Sequence, residues 1–549
     1  MAAPVNPTER SPLLDPTSGQ AEDGTTSRES AANGEVFFFN EPTTLQMTKA
    51  TSGVFLGIIF VAVDSSMIAT LSAPISSTFG SLSRLPWLVS TFFIANAAIQ
   101  PLCGKLTDIY GRRDGLILSN ITFSLGNLMC ALAQSEWVLI CGRLVAGIGG
   151  GGIAAISTFV LSDLVPVRRR GVWQGIGNIF FGAGSGLGGY FGGWLNDYIN
   201  WRAAFWIQIP FTVLATILIF FTVNIPITNS DATKRSKIRQ IDFLGASTLF
   251  AALTLLLLAL SSGGNIVPWL HPLVLTSLPL SLLFLLAFVL IELKVAAQPI
   301  IPVNLLWDWT IAGACLTNFF SSMSRFALLF YLPVYLQIQG HSPSETGLRL
   351  VPGSFAAALA SLVSGVIIRS TGRYYKLGVS SQVIYFVGMA WIVAFNLKTP
   401  AWIPFVSFSI TNIGFGAMVS ATIVAILAVA DQKNQAVLTS ALLAFRSTGT
   451  VIGITLAGLT FQNVLRSELW NRIGDIDHAD EQIKRIIADL DVIWDFPTAL
   501  KDQILQAHMS ALTAVFAVIL GMGGLGIVTS FFVKDIALPR KAKPSDSNR

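Results

Sequence analysis

Fourteen segments of the chain are long and apolar enough to cross a membrane as helices, and this feature restricts the fold most. A spanning helix needs roughly 20 mostly apolar residues, because no water satisfies the backbone inside a bilayer. The segments are 51–73, 86–104, 115–134, 137–161, 171–194, 203–225, 243–262, 272–293, 310–337, 347–369, 378–396, 402–428, 436–463 and 509–533. The sequence therefore predicts an all-α membrane protein with 14 transmembrane helices.

The composition agrees with membrane insertion and excludes several functions. Of the 549 residues, 52% are hydrophobic and 12% are charged, about half the charged fraction of soluble domains. The net charge of +5 is spread over short loops, which argues against a nucleic-acid partner. The four cysteines form no disulfide framework and have no metal-ligand spacing. Because no nucleotide-binding loop or nucleophile constellation is present either, we predict no enzyme, no ATP-driven pump and no cofactor.

Lysine and arginine are distributed unequally between the two sides of the predicted membrane. The termini and the loops after even-numbered helices hold 23 of the 35 basic residues, whereas the opposite side holds nine, five of them in 464–508. The other three, Arg143, Arg325 and Arg446, lie inside helices. Because positively charged loops stay in the cytosol, we predict that both termini are cytosolic.

A short motif after the second segment returns in the second half of the chain. Its copies are Gly104-Lys-Leu-Thr-Asp108-Ile-Tyr-Gly111-Arg112-Arg113 and, 261 residues later, Gly365-Val-Ile-Ile-Arg369-Ser-Thr-Gly372-Arg373. The same shift carries Asp64 onto Arg325. Because both copies lie on one side of the predicted membrane, the repeat is a parallel one, typical of transporters with two like halves.

The repeat predicts two six-helix bundles with an inserted helix pair between them. The predicted regions are a disordered cytosolic tail (1–50), an N-terminal bundle (51–225), a cytosolic linker with the inserted pair (226–309), a C-terminal bundle (310–533) and a cytosolic tail (534–549). The C-terminal bundle includes a long lumenal loop, 464–508. Apolar residues at helical spacing in this loop, such as Ile483, Ile486 and Leu490, predict an amphipathic helix.

Several motifs resemble those of a known family. The ten-residue motif is similar to the signature loop between helices 2 and 3 of the major facilitator superfamily, and the segment around Arg143 resembles its arginine motif. The glycines of helix 5 resemble the antiporter motif of proton-coupled exporters, with Gly189 where the family usually has proline. They are Gly175, Gly184, Gly188, Gly192 and Gly193. The resemblance implies the major facilitator fold and exchange of a solute against protons.

Three further blocks resemble the fourteen-helix drug:proton antiporter family: 201–210, 331–343 and 445–449. Gln208, where drug exporters tend to have Asn, and the Asp64-Ser-Ser-Met-Ile-Ala segment are closer to fungal vacuolar basic amino-acid transporters of the Vba/Fnx type. This resemblance implies transport of amino acids, in particular Lys, Arg and His, from cytosol into the vacuole. The alternatives are a plasma-membrane multidrug or toxin:proton antiporter and a non-transporting nutrient sensor, for which the tails are short.

The N-terminal tail carries a candidate sorting signal. Glu9-Arg-Ser-Pro-Leu13-Leu14 has the acidic-dileucine pattern that adaptor complexes read for delivery to vacuoles or lysosomes. A Leu-Leu pair is unusual in an otherwise polar tail. The pattern predicts a multi-pass protein of the vacuolar membrane with an adaptor complex as a partner.

Ionisable residues inside the predicted membrane are candidates for function, because each is unfavourable there by roughly 2.5–3.5 kcal/mol on insertion scales. Asp64 and Arg143 lie at matching depth, both roughly 20 Å from the cytosolic side at 1.5 Å per residue. We expect Asp64 to take up and release the coupled proton and Arg143 to favour its ionised form. The alternative is a permanent pair that only neutralises buried charge.

Arg325 and Arg446 lie about halfway through their helices and could hold a substrate carboxylate, with Asp64 near the amino end. They could instead bond to backbone carbonyls or face Asp64. One acid and three arginines suit an anionic or zwitterionic ligand better than a dibasic one. Further polar candidates for the substrate path are Ser65, Asn96, Gln100, Asn318 and Asn412.

The repeated motif also implies a conformational latch. By resemblance, Gly104, Asp108, Gly111, Arg112 and Arg113 form this latch, with Asp163 as the partner of Arg112. These charges would stabilise the lumen-facing state and separate when the halves rock. The alternative, positive-inside anchoring by the arginines, leaves Asp108 and the glycines unexplained.

Overall fold

The computed structural model describes most of the chain from residue 44 onward. The described residues are 44–80, 85–164, 170–223, 242–263, 267–295, 307–429, 435–474, 479–488 and 490–535. The sorting motif with Glu9, Leu13 and Leu14 lies outside them, as does most of the predicted linker. Helices and short connections make up the described part of the chain.

Sixteen α-helices follow one another along the described residues. They are α1 (Thr44–Phe79), α2 (Leu85–Tyr110), α3 (Arg112–Ala131), α4 (Glu136–Leu164), α5 (Arg170–Tyr198), α6 (Trp201–Trp206), α7 (Gln208–Thr222), α8 (Phe243–Ser262), α9 (Pro272–Lys294), α10 (Trp309–Ile338), α11 (Pro343–Thr371), α12 (Tyr375–Val393), α13 (Trp402–Val429), α14 (Gln435–Ile473), α15 (Ala479–Ala488) and α16 (Thr498–Ser530). Helices α6 and α7 form one apolar span, Trp201–Thr222, interrupted at Ile207.

Every predicted apolar segment coincides with a helix, with ends that differ by a few residues in most cases. In the described part of the chain, 11 helices are long and apolar enough to cross a membrane: α1, α4, the α6–α7 unit, α8 to α14 and α16. Helices α2, α3 and α5 carry more polar residues and glycine. In α3 the polar side chains of Asn120 and Asn127 are buried, so they pack inside the protein.

Each copy of the repeated motif has a glycine with positive φ at the end of a helix. Gly111 has φ +100° and Gly372 has φ +68°, in the region that side chains rarely adopt. Gly111 donates its N–H to the carbonyl of Thr107, and Gly372 donates to that of Ile368. Helices α2 and α11 thus both end at a glycine of positive φ, at positions related by the 261-residue shift, with ψ 147° at Gly111 and 12° at Gly372. We call this side of the molecule the motif end and the other side, where α11 begins at Pro343, the far end.

Helix contacts divide the described chain into two halves that meet along two seams. In the first half α2 packs on α4 and α3 packs on both α4 and α7, whereas in the second half α10, α13, α14 and α16 pack together. The most extensive contact between halves joins α5 to α11, and α2 meets α14 on the other side. Helices α8 and α9 pack on each other, and α8 contacts both α2 and α14.

The predicted loop 464–508 is shorter in the structure. Helix α14 continues to Ile473 and α16 begins at Thr498. The polar residues in these extensions, which led to the prediction of a loop, form hydrogen bonds between the two helices. Arg472 donates to Gln506 Oε1 at 2.9 Å, for example. The predicted amphipathic helix is present as α15, with Ile483 and Ile486 buried in the hydrophobic core.

Candidate functional site

A buried ion pair lies in the first half, between α1 and α4. Arg143 Nη1 donates to Asp64 Oδ2 at 2.6 Å, and both side chains are 0% exposed. The guanidinium also lies over the ring of Phe92, 4.4 Å from its centroid. The structure therefore brings together the two residues that the sequence placed at matching depth.

Two amide side chains, Gln208 and Asn127, lie next to this pair. Gln208 interacts with the Asp64 carboxylate, donates to the carbonyl of Ala204 at 3.0 Å and accepts from Asn127 at 3.4 Å. Asp64 Oδ1 and Arg143 Nε and Nη2 have no hydrogen-bond partner among the described residues. Arg143 and Asp64 are thus joined through Nη1 and Oδ2, and their other polar atoms do not contribute to the bond between them. Sequence reasoning missed Asn127, although an asparagine inside an apolar segment was an available signal.

A cavity of about 240 Å³ lies between the two halves. Helices α1, α2, α4 and α5 line it from the first half, and α10, α11, α13 and α14 from the second. Its described lining includes two arginines, Arg325 and Arg446, and no aspartate or glutamate. Phe92, Phe93, Phe326 and Phe415 supply aromatic walls. With 37 phenylalanines in the chain, the sequence offered no signal that would single these out.

Arg325 is held in the cavity wall by contacts within the second half. Its Nε donates to Asn412 Oδ1 at 3.1 Å, and its guanidinium lies over Phe415 at 4.6 Å and Phe326 at 5.2 Å. Arg446 is close enough for the two positive charges to repel each other. Among the described residues, no acid pairs with either arginine.

The two halves join corresponding helices by different chemistry. In the repeat, α10 corresponds to α1 and α13 to α4, and in each half a buried polar contact joins these two helices, Asp64–Arg143 in the first and Arg325–Asn412 in the second. The 261-residue shift carries Asp64 onto Arg325, but it carries Arg143 onto Pro404. An acid and a base neutralise each other in the first half. In the second half Arg325 bonds to the neutral amide of Asn412, so the charge of the arginine is not offset by that contact.

The other predicted substrate residues divide into two groups. Ser65, Asn96 and Gln100 line the cavity, and Gln100 donates to Asn96 and accepts from Ser447 at 3.4 Å. Asp64, Asn318 and Asn412 do not line it. Asn318 is buried and donates to Thr422 at 2.8 Å and to a backbone carbonyl of α10, and Asn412 supports Arg325. The residue of α1 that faces the cavity is Ser65, whereas the neighbouring Asp64 points toward α4.

The predicted latch residues form contacts inside the first half. Arg112 Nε lies 3.1 Å from Asp163 Oδ2, and its guanidinium lies over Phe159. Arg113 lies over Phe220 at 4.3 Å. The surroundings of Gly104 and the side chain of Asp108 are outside the described residues. The predicted Arg112–Asp163 pair is therefore present at the motif end, where it joins α3 to α4 within the first half and does not link the two halves.

Replacing Asp163 by Asn should lower transport without lowering stability. Both side chains are partly exposed, so the pair contributes only about 0–1 kcal/mol to folding. If about 1 kcal/mol acts in one conformation only, the transport rate should fall roughly five-fold. Uptake and the melting temperature measured side by side, with the exposed Asp480→Asn variant of α15 as control, check this. An unchanged uptake rate would remove Asp163 from the latch.

The antiporter-motif glycines of α5 serve two interfaces. A Cβ at Gly184 would lie 2.4 Å from the carbonyl oxygen of Ile59, and one at Gly188 would lie 2.5 Å from that of Val63. Gly192 likewise contacts α1, at Met67. Gly193 instead meets α11, where a Cβ would lie 2.5 Å from the Pro343 carbonyl. The surroundings of Gly175 are outside the described residues.

Three curated proteins from fungi are similar over most of this chain. Multidrug resistance protein fnx1 of Schizosaccharomyces pombe is 33% identical, over 88% of this chain and 92% of its own length. Vacuolar membrane amino acid uptake transporter fnx2 of the same yeast is 32% identical, over 90% and 86%. Vacuolar basic amino acid transporter 1 of Saccharomyces cerevisiae is 28% identical, over 87% and 91%.

Family and fold comparisons agree with these relatives. Residues 54–454 match the Major Facilitator Superfamily. Among solved structures, a bacterial homologue of the human lysosomal transporter Spinster aligns with a TM-score of 0.61. That alignment covers 90% of this chain and 97% of the other at 16% identity, so it shows similarity of fold only.

Proposed function

This chain belongs to the Major Facilitator Superfamily, and we propose that it is a proton-coupled antiporter that moves amino acids from the cytosol into the vacuole. The observation that carries the coupling is the fully buried Asp64–Arg143 pair. The names of two relatives, an amino acid uptake transporter and a basic amino acid transporter of the vacuole, support the substrate and the membrane. Lys, Arg and His are the first substrates to test.

In this proposal Asp64 acts on the cavity without touching the substrate. Arg143 bonds Asp64 on one side and covers Phe92 on the other, and Phe92 lines the cavity. Protonation of Asp64 removes the negative charge that holds Arg143. The guanidinium is then free to move, and Phe92 with it, so that a proton changes the shape of the cavity wall.

The contacts between halves support a cavity that opens toward the motif end. At the far end, Asp197 of α5 accepts from the backbone N–H of Ser344, and Gln337 donates to the carbonyl of Thr70. Gly193 meets Pro343 there. With 14 spanning helices and both termini in the cytosol, as proposed from the lysine and arginine distribution, the motif end is cytosolic. The cavity then faces the cytosol, ready to load.

A second candidate is an efflux antiporter of the plasma membrane that exports drugs or toxins. It is favoured by the name of the relative fnx1, a multidrug resistance protein, and by the aromatic walls of the cavity. The two candidates share the fold and the coupling residues and differ in substrate and location. A fluorescently tagged chain at the vacuolar membrane supports the first, and one at the plasma membrane supports the second.

Uptake into isolated vacuolar vesicles tests the proposal. Vesicles from cells that express the chain should take up labelled lysine, arginine or histidine when ATP drives acidification, and those from cells without it should take up less. A proton uncoupler should abolish the difference, because the gradient drives exchange. The proposal would be contradicted if vesicles with and without the chain took up each amino acid, basic or neutral, to the same extent.

A further inference from the structure

We infer that the central cavity recognises its substrate through a carboxylate bound by Arg325 and Arg446, and that no aspartate or glutamate of the described cavity lining binds the substrate's amino group. This inference rests on the proposed function and names the chemical class that it carries. Carboxylates with or without an α-amino group are ligands, and the corresponding amines without a carboxylate are not.

The charge balance of the cavity is the first argument. Asp64 and Arg143 neutralise each other behind the cavity wall, so Arg325 and Arg446 leave two positive charges facing the space between the halves. A charge inside a bilayer is unfavourable by roughly 2.5–3.5 kcal/mol on insertion scales. A bound carboxylate offsets this charge, whereas an organic cation adds to it.

The orientation of Arg325 is the second argument. Asn412 occupies its Nε, and the rings of Phe415 and Phe326 lie beside the guanidinium. The two terminal nitrogens remain for a ligand, and this edge of a guanidinium fits the two oxygens of a carboxylate. Asn412 is therefore a positioning residue, because it fixes the arginine and does not line the cavity itself.

The uncharged part of the cavity is the third argument. Its polar groups near α2 are Asn96, Gln100 and Ser447, and Gln100 bonds to both of the others. Neutral amides and hydroxyls accept a hydrogen bond from an ammonium group without offsetting its charge. The amino group therefore contributes little, whereas loss of the carboxylate leaves both arginines without an anionic partner.

Competition against labelled lysine tests the inference in reconstituted liposomes. Two analogues are used: 6-aminohexanoate keeps the carboxylate and lacks the α-amino group, and cadaverine lacks the carboxylate. We expect 6-aminohexanoate to compete within about ten-fold of lysine and cadaverine to fail at a hundred-fold excess, since each factor of ten is about 1.4 kcal/mol. Competition by cadaverine equal to that by lysine would overturn the inference.

Variants of the two cavity arginines test whether these residues cause the preference for carboxylates. Arg446→Gln and Arg325→Gln should raise KM for carboxylates and reduce the advantage of 6-aminohexanoate over cadaverine. Because Arg446 has no acid partner among the described residues, Arg446→Gln should not lower the melting temperature. Arg325→Gln also loses the bond to Asn412, so its melting temperature is measured beside its KM. Arg466→Gln, on an exposed position of the same helix as Arg446, is the matched control and should leave KM unchanged. Asn412→Ala should raise KM, and Asn412→Gln should bring KM part of the way back to the wild-type value.

A binding assay separates this inference from the proposed function. A ligand that binds the folded protein raises its melting temperature whether or not it is transported. Purified protein should be stabilised by carboxylates such as 6-aminohexanoate, glutamate and phenylacetate, but not by cadaverine, and Arg446→Gln should abolish the stabilisation. If lysine is not transported but carboxylates stabilise, only the proposed function fails. No stabilisation by any carboxylate overturns the inference itself.

Discussion

An Asp64→Asn variant is expected to lose proton-driven uptake, with a rate that falls by a factor of about a hundred or more. Each tenfold loss of rate corresponds to about 1.4 kcal/mol of activation free energy. Asparagine cannot exchange a proton, so the pair with Arg143 can no longer alternate between charged and neutral forms. The variant should also be less stable by about 3–5 kcal/mol, because it leaves Arg143 buried without its counter-ion.

A double variant separates these two effects. Asp64→Asn with Arg143→Met removes both charges, and replacing a buried ion pair by neutral side chains is often neutral for stability. We expect its melting temperature to return close to that of the wild type while proton-driven uptake stays absent. Asp480→Asn serves as the control for the charge change itself. If the double variant regained uptake, the pair would only neutralise charge and would not couple protons.

The second large effect is expected at Gly193. An alanine Cβ there would lie 2.5 Å from the backbone of Pro343, so α5 and α11 must separate at the far end. Overpacking of this kind is unfavourable by about 1–3 kcal/mol. Because the contact joins the two halves, this energy acts on the state that is closed at the far end, and the populations of the two states should shift roughly 5- to 150-fold.

Gly189→Ala is the matched control on the same helix. Its Cβ would lie 3.5 Å from Thr70 Cγ2, which is an ordinary contact. The rate at which a thiol reagent modifies a cysteine introduced at Thr158, on the cavity wall, reports whether the cavity is open at the motif end. Gly193→Ala should slow both this modification and uptake, and Gly189→Ala should change neither. Equal behaviour of the two variants would show that the α5–α11 contact does not control the state.

The sequence predicted the helices and the ion pair because both follow from simple rules. Apolar length identifies a membrane segment, and opposite charges at equal depth pair to avoid isolation in the bilayer, once the family resemblance places helices 1 and 4 side by side. The 261-residue repeat correctly related the turns at Gly111 and Gly372. These features depend on local sequence and symmetry, which can be read without knowing how side chains turn.

The sequence did not predict the directions in which the side chains of α1 point. Asp64 and Ser65 are neighbours on α1, and only their rotation about the helix axis places Ser65 in the cavity and Asp64 against α4. The ends of the loop 464–508 were also missed, because polar residues such as Arg472 and Gln506 satisfy each other across two helices. Both features depend on partners that are distant in sequence.

Substrate-driven proton movement in sealed liposomes tests the coupling most directly. With purified protein and a pH-sensitive dye inside, an imposed gradient of a transported amino acid should drive protons the opposite way through the wild-type protein. The Asp64→Asn/Arg143→Met variant, folded and inserted to the same extent, should move none. Equal proton movement in the two proteins would show that the coupled proton binds elsewhere.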